Sequence, residues 1–374
     1  MLPTPPYRAV LPTRRILLAG LGASLSGCAI AGAAPPEGAR APVGGGADET
    51  HVLQLSRLAF VACLDQAKPQ PLWPAIAAAR PEALVMLGDN VYADNLSGDP
   101  ALPEMRVAYA ALAAEPGFAA LRARVPVFAT WDDHDYGLND AGAEFAHKAE
   151  AKRQFADFFG LPGGHPVRAR EGVYRSILAG PEGARLQILV LDTRWFRSPL
   201  TPTDRKGAPG RERYLPDRDP DKTMLGPAQW AWLAAELARP ADLRLIVSSI
   251  QVLADGHGWE GWSNLPLERA RLFRLIRDTG ARNVVFVSGD RHVGALYLEP
   301  AATDAPLVEL TVGSMNRPAG RSIDEAGRNR LGDTYNEVNF GLLTIDWGQQ
   351  VFALELRDAA GTPVRSTQLS LRAV

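Results

Sequence analysis

Six short apolar runs between residues 56 and 288 share one property: each ends in a polar or reactive cluster. Ser56 to Ala62 runs into Cys63, Ala83 to Leu87 into Gly88-Asp89-Asn90-Val91-Tyr92, and Val125 to Thr130 into Trp131-Asp132-Asp133-His134-Asp135. Leu186 to Leu191 is followed by Asp192-Thr193-Arg194, Leu243 to Ser248 by Ser249-Ile250-Gln251, and Val284 to Ser288 by Gly289-Asp290-Arg291-His292. Runs of this length and β-branched content read as strands. The amphipathic stretches Trp73 to Ala79, Glu144 to Phe159, Pro227 to Leu237 and Leu267 to Asp278 read as helices. Their alternation predicts a layered α/β fold, while Val308 to Val312, Phe340 to Asp346 and Val351 to Leu356 crowd together and predict antiparallel pairing. Ligands in layered α/β proteins bind beyond the carboxyl ends of the strands, so clusters that recur there converge in space.

The converging set holds several carboxylates, two imidazoles, a phenol and a thiol. A nucleophile elbow of the Gly-x-Ser-x-Gly type and a phosphate-cradling Gly-x-x-x-x-Gly-Lys-Ser/Thr loop are both absent from the sequence. Clustered Asp side chains without cationic partners repel one another, and a multivalent cation removes that cost. The ligand types point to two different ions. Thiolate, phenolate and imidazole suit a transition metal, and carboxylate and amide oxygens suit a harder ion such as Ca²⁺, Mg²⁺ or Mn²⁺. The 40 basic and 42 acidic side chains leave a net charge of −2, and 46% of the 374 residues are hydrophobic. Whole-chain disorder is excluded by that apolar content. No nucleic-acid specificity is expected, because there is no cationic excess to drive counterion release.

Gly88-Asp89-Asn90-Val91-Tyr92, Trp131-Asp132-Asp133-His134-Asp135 and Ser288-Gly289-Asp290-Arg291-His292 resemble the signature blocks of the alkaline phosphatase D family, the PhoD-like metallophosphoesterases. Cys63, the run Met224-Leu225-Gly226-x-x-Gln229-x-x-Trp232-Leu233, and Trp259-Glu260-Gly261-Trp262 extend the resemblance over about Leu58 to Trp347. It implies a four-layer α/β/β/α metallophosphatase sandwich with mixed sheets, and a centre of Fe(III) and Ca²⁺, with Mn²⁺ or Mg²⁺ as other candidates. Carried over by position, Cys63, Asp89, Tyr92 and His292 bind iron, and Asp89 bridges to calcium, which Asp133 and Asp290 also hold.

Catalysis is expected from Asp89, Asp133 and His134. Two cations sharing Asp89 lower the pKa of a bound water and neutralise charge on the phosphoryl oxygens. His134 is placed like the histidine that assists the leaving group in related metallophosphatases, a proton transfer worth about 10²–10⁴-fold. Arg194 is a candidate phosphate contact or partner of a nearby acid, and Gln251 a candidate ligand or supporting hydrogen-bonder. Asp132 and Asp135 read as supporting groups, and His51, His147 and His165 as solvent-exposed. The segment from Phe196 to Pro227, with Arg197, Arg205, Lys206, Arg211, Arg213, Arg218 and Lys222, reads as a solvated loop whose acids dilute its charge, with a basic rim as the alternative.

Residues 1–27 read as an export signal. Arg14-Arg15 precede the apolar run Ile16 to Gly22, too short to span a bilayer, and Leu25-Ser26-Gly27-Cys28 resembles a lipobox ending at the lipidated Cys28. Residues 28–50, rich in Ala, Gly and Pro, read as a flexible tether, and residues 51–374 as the catalytic domain. Removal of residues 1–27, which hold Arg8, Arg14 and Arg15 and no acid, moves the net charge from −2 to −5. The expected protein is an exported, lipid-anchored phosphoesterase of the periplasm or cell envelope, peripheral to the membrane, acting on a small phosphate mono- or diester. The alternatives are a phosphodi- or triesterase or phospholipase D-like enzyme on membrane-derived esters, and a binding lipoprotein that keeps its metals without turnover.

Overall fold

A computed structural model describes residues 49–51, 53–300, 302–303, 305–319, 327 and 329–371. The expected export signal, the expected lipid acceptor Cys28 and nearly all of the expected tether lie outside the described residues. The last two residues of that tether do not: Glu49 and Thr50 belong to strand β1 (Glu49–His51), so the folded region begins earlier than expected.

Two sheets organise the chain. The seven-stranded sheet runs β1, β5 (Arg175–Ala179), β6 (Leu186–Val190), β9 (Leu243–Val247), β10 (Val284–Ser288), β12 (Leu307–Thr311), β11 (Ala295–Glu299). Its centre, β6-β9-β10-β12, is parallel, and β5 and β11 pair antiparallel with their neighbours β6 and β12. The six-stranded sheet runs β15 (Pro363–Ser370), β14 (Val351–Arg357), β13 (Phe340–Asp346), β2 (Arg57–Val61), β3 (Ala83–Met86), β4 (Val127–Ala129). Here β2, β3 and β4 are parallel, and β13 to β15 form an antiparallel side, as crowding predicts for β13 and β14; β12, expected with them, lies instead in the seven-stranded sheet, parallel to β10 and antiparallel to β11. A short hairpin pairs β7 (Thr201–Pro202) with β8 (Tyr214–Leu215).

The helices are α1 (Trp73–Ala78), α2 (Pro103–Ala114), α3 (Pro116–Arg122), α4 (Asp133–Tyr136), α5 (Lys148–Phe158), α6 (Pro166–Ala169), α7 (Gly226–Leu237) and α8 (Pro266–Asp278). Six of them carry Pro74, Pro103, Pro116, Pro166, Pro227 or Pro266 in the first two positions, where a missing N–H leaves no intrahelical bond unmade. Among the described residues no helix is long and apolar enough to cross a membrane.

Alternation along the strands divides the core. Ala59, Val61, Leu84 and Met86 pack with Trp73, Tyr109, Phe118 and Phe155 of the helices. Their strand neighbours Leu58, Phe60, Ala83 and Val85 share a second cluster with Ile188, Leu245, Val285 and Leu310 of the other sheet. On that sheet's remaining face, Leu189, Ile246 and Phe286 pack with Trp230, Leu233, Leu272 and Ile276 of α7 and α8. A period of two on a strand makes this division unavoidable when both faces are buried. One expectation fails here: His165 is buried, because its Nδ1 accepts from Val167 N (3.2 Å) and caps α6.

Candidate metal centre

The parallel strands β2, β3, β4 and β10 deliver their terminal residues to one place, and the backbone turns sharply there. Cys63, Asp89, Asp290 and His292 all adopt positive φ, at 54°, 50°, 67° and 57°. Such left-handed geometry is uncommon for side-chain-bearing residues and concentrates at functional sites. Gly88 (φ 107°) makes the close approach of β3 to β4 possible, since a Cβ there would sit 2.6 Å from Asp132 Cβ.

Three overlapping sets of potential ligand atoms result, each set within 4.8 Å: Cys63, Asp89 and His292; Asp89, Asp133 and His134; Asp132, Asp133 and Asp290. Asp89 joins the first two and Asp133 the last two. The Tyr92 hydroxyl donates to Asp89 Oδ2 (2.8 Å) and lies 2.9 Å from His292 Nε2, which adds the phenol to the first set. His134 Nδ1 meets Asp94 Oδ2 at 2.9 Å. Asp133 accepts from His134 N (2.9 Å) and Asp140 N (2.8 Å). Asp135 accepts from Asp89 N (3.1 Å), Asn90 N (3.2 Å), Asn90 Nδ2 (2.5 Å) and Asp132 N (2.7 Å).

The electrostatics of the bare residues are those of an unneutralised cluster. Burial, then the charges of Asp133, Asp132, Asp135 and Asp290, push Asp89 well above the usual carboxylate range. Burial and Asp132 do the same to Asp290 against the pull of Arg291, and burial and Asp89 raise both Cys63 and Tyr92. Burial lifts Asp132 to about 7 even beside Arg194. At Asp133 burial also opposes ionisation, but Arg194, His134 and the Asp140 N–H outweigh it and hold the carboxyl low. His292 falls to about 4 through burial and the Arg317 and Arg291 charges, which keeps its ring neutral, the form that ligates metal. Burial opposes the charge on His134, yet its bond to Asp94 and the nearby Asp133 raise it. Asp132 Oδ2 and Asp290 Oδ2 are buried without a hydrogen-bond partner among the described residues. Soft and hard donors in adjoining sets, crowded anions and orphaned carboxylate oxygens together fit a pair of cations.

An open cavity of ≈ 250 Å³ is lined by Asp89, Asp133, His134, Asp140, Glu260, Asp290 and His292, with Asn139, Arg213, Trp259, Arg291 and Ala319 completing it. A larger hollow of ≈ 390 Å³ between α7 and α8 has none of these groups. Cys63, Asp89, Tyr92, Asp133, His134, Asp290 and His292 are thus brought together. Arg194 is not free to contact a substrate phosphate: it is fully buried, with Nη1 2.9 Å from Glu260 Oε1 and Nε 2.7 Å from Asp132 Oδ1. Gln251 is also buried outside the cavity lining and bonds to Tyr297 (3.1 Å), Thr311 (3.0 Å) and His257 (3.0 Å). In the Phe196 to Pro227 segment, Arg197 is buried against Glu260 (2.9 Å) and Arg213 reaches the cavity, while Arg205, Lys206, Arg211 and Arg218 are exposed. Asp94 and Asp140 carry no sequence signal of their own beyond lying near the signature blocks, and Glu260 enters only as part of Trp259-Glu260-Gly261-Trp262, with no role assigned to it.

Residues 58–342 match the family model described as PhoD-like phosphatase. Alkaline phosphatase D of Bacillus subtilis (strain 168) is 26% identical over 234 residues, a match covering 57% of this chain and 39% of that protein. The chain therefore spans well under half the length of that curated relative. A solved structure of PhoD superposes with a TM-score of 0.64 at 17% identity, over 88% of this chain and 70% of that one, a likeness of fold. With the model matched across both sheets and all the strand-end clusters, the chain belongs to the PhoD-like phosphatase family.

Proposed function

We propose that the chain is a metal-dependent phosphoesterase that hydrolyses phosphate mono- or diesters. The observation that carries this reading is the sharing of Asp89 and Asp133 among three adjoining ligand sets at the floor of one open cavity. Cys63, Asp89, Tyr92 and His292 would hold a transition ion, for which Fe(III) suits the thiolate and phenolate donors. Asp89, Asp133 and Asp290 would hold Ca²⁺, or Mn²⁺ or Mg²⁺ in its place. Such a pair supplies charge neutralisation at the phosphoryl oxygens and a water of lowered pKa.

The protein's own contribution is proton handling and orientation. Asp94 fixes one ring nitrogen of His134 and raises its pKa, so the imidazole keeps a proton to give to the departing alkoxide. Export and lipid attachment through Cys28, to a periplasmic or cell-envelope site, belong to the same proposal and rest on the sequence of residues 1–28. Metal analysis of the purified protein, followed by p-nitrophenyl phosphate and bis(p-nitrophenyl) phosphate assays, tests the reading. Two bound cations and turnover of at least one ester are expected; a cation-loaded protein that cleaves neither ester overturns it.

A further inference from the structure

The cavity has an acidic floor but a basic wall. Arg213, Arg291 and Trp259 all line it, and the guanidinium carbons lie 5.0 Å (Arg213) and 4.9 Å (Arg291) from the centroid of the Trp259 ring. Both distances are within cation–π range.

Two loop segments build this wall. Arg213 N and Tyr214 N both donate to Gly258 O, at 2.8 and 2.7 Å, and Gly258 N donates to Glu212 Oε2 at 2.6 Å. The crossing leaves no room for a side chain, because a Cβ on Gly258 would lie 2.3 Å from Glu212 N and 2.5 Å from Arg211 Cα. Arg213 and Trp259, distant in sequence, are therefore held side by side. Asp140 Oδ2 takes one donor of Arg213, Nη1 at 2.5 Å, and also accepts from Tyr214 Oη at 2.7 Å. The Arg213 side chain remains 37% exposed, and a planar guanidinium has further N–H groups to offer. Arg194, the arginine that the sequence offers as a phosphate contact, has none to spare.

We propose that Arg213, aligned with Arg291 on Trp259, binds the phosphate oxygens of the substrate and, in the positive field of the pair, selects a terminal phosphate dianion over the monoanion of a diester. The inference rests on the phosphoesterase reading and names the substrate class of that site. Two guanidiniums on one wall favour the ligand with the greater charge, since Coulomb attraction scales with charge, and the guanidinium fork matches phosphate geometry.

The test compares p-nitrophenyl phosphate with bis(p-nitrophenyl) phosphate, which share a leaving group, and titrates inorganic phosphate calorimetrically into the cation-loaded protein. Arg213→Gln is expected to raise KM for the monoester about tenfold, the loss of one charge-assisted hydrogen bond, and KM for the singly charged diester only about threefold, half that free energy. Phosphate affinity should fall by a factor similar to the monoester's. Trp259→Leu should reproduce the effect and Trp259→Phe largely restore it. Asp140→Asn, which keeps Arg213 in place, should retain the monoester preference. Equal changes for both esters, phosphate affinity unaltered by Arg213→Gln, or an Asp140→Asn variant that mimics Arg213→Gln would overturn the proposal. A wild-type protein inactive on both esters rejects the phosphoesterase reading instead, and the phosphate titration then still decides whether Arg213 binds the anion.

Discussion

Asp132, which also belongs to one ligand set, and Glu260, which reaches the cavity lining, are buried beside Arg194 and Arg197, whereas in the cavity floor Asp89, Asp133 and Asp290 face one another, with Arg291 3.9 Å from Asp290 Oδ2. Both groups of acids have left water, and each needs a counter-charge. The first receives it from the chain itself, through guanidinium hydrogen bonds to both oxygens of Glu260 and to Asp132 Oδ1. The second shares its carboxylates among sets of atoms spaced for ions. The protein neutralises its own acids where it needs a fixed scaffold and leaves them for cations where it needs chemistry.

Removing a counter-charge from the scaffold is the largest test of this contrast. Arg194→Ala strands Asp132 and Glu260 in the interior and should cost about 3–5 kcal/mol of stability, read from urea denaturation. A loss below about 1 kcal/mol would mean that the guanidinium is not what holds these acids. Removing an acid from the floor should act in the opposite direction. Asp89→Asn eliminates a carboxyl whose charge burial and its neighbours disfavour, so the cation-free protein should become more stable while activity falls more than about 100-fold, beyond the loss typical of residues that only support a ligand. If that variant is destabilised without cations, the floor acids are not in conflict and the contrast breaks.

The smallest test is pH. Asp132 and Asp135 have pKa values raised by burial from 3.8 to about 7. A raised carboxyl pKa means that folding favours the protonated form. The associated stability is full below the unfolded value and is lost as pH rises through 7. The urea midpoint of cation-free protein should therefore decline between pH 4 and 7, and saturating cations should flatten the decline. Identical profiles with and without cations would separate these two carboxyls from the ion sites.

Strand ends were the legible part of this molecule. β2, β3, β4, β6, β9 and β10 combine apolar runs with abrupt polar stops, and a strand end fixes where the next residue goes. β15 escaped because it opens on Pro363 and alternates polar, partly exposed residues at a sheet edge; α2 and α3 escaped because the Ala-rich stretch from Pro103 to Arg122 has little polar contrast between its faces. The pairing within the wall was illegible for a different reason, although a basic rim holding Arg213 was the alternative reading of its segment. Arg213 and Trp259 lie in loops without periodicity, and only the Gly258 crossing makes them neighbours. Arg194 stayed open between two readings because an arginine after a strand looks the same whether a phosphate or Glu260, 66 residues later, stands opposite it, and the structure supplies the acids.

Asp135 deserves a last consideration as a spacer. It ligates nothing in the proposed centre, yet its carboxylate is gripped by the backbone amides of Asp89 and Asn90 from one strand end and Asp132 from the next. The gap between the two strand ends is thereby set by one planar group of fixed width. The spacing of the two strand ends is therefore a property of the fold itself, set before any ion arrives.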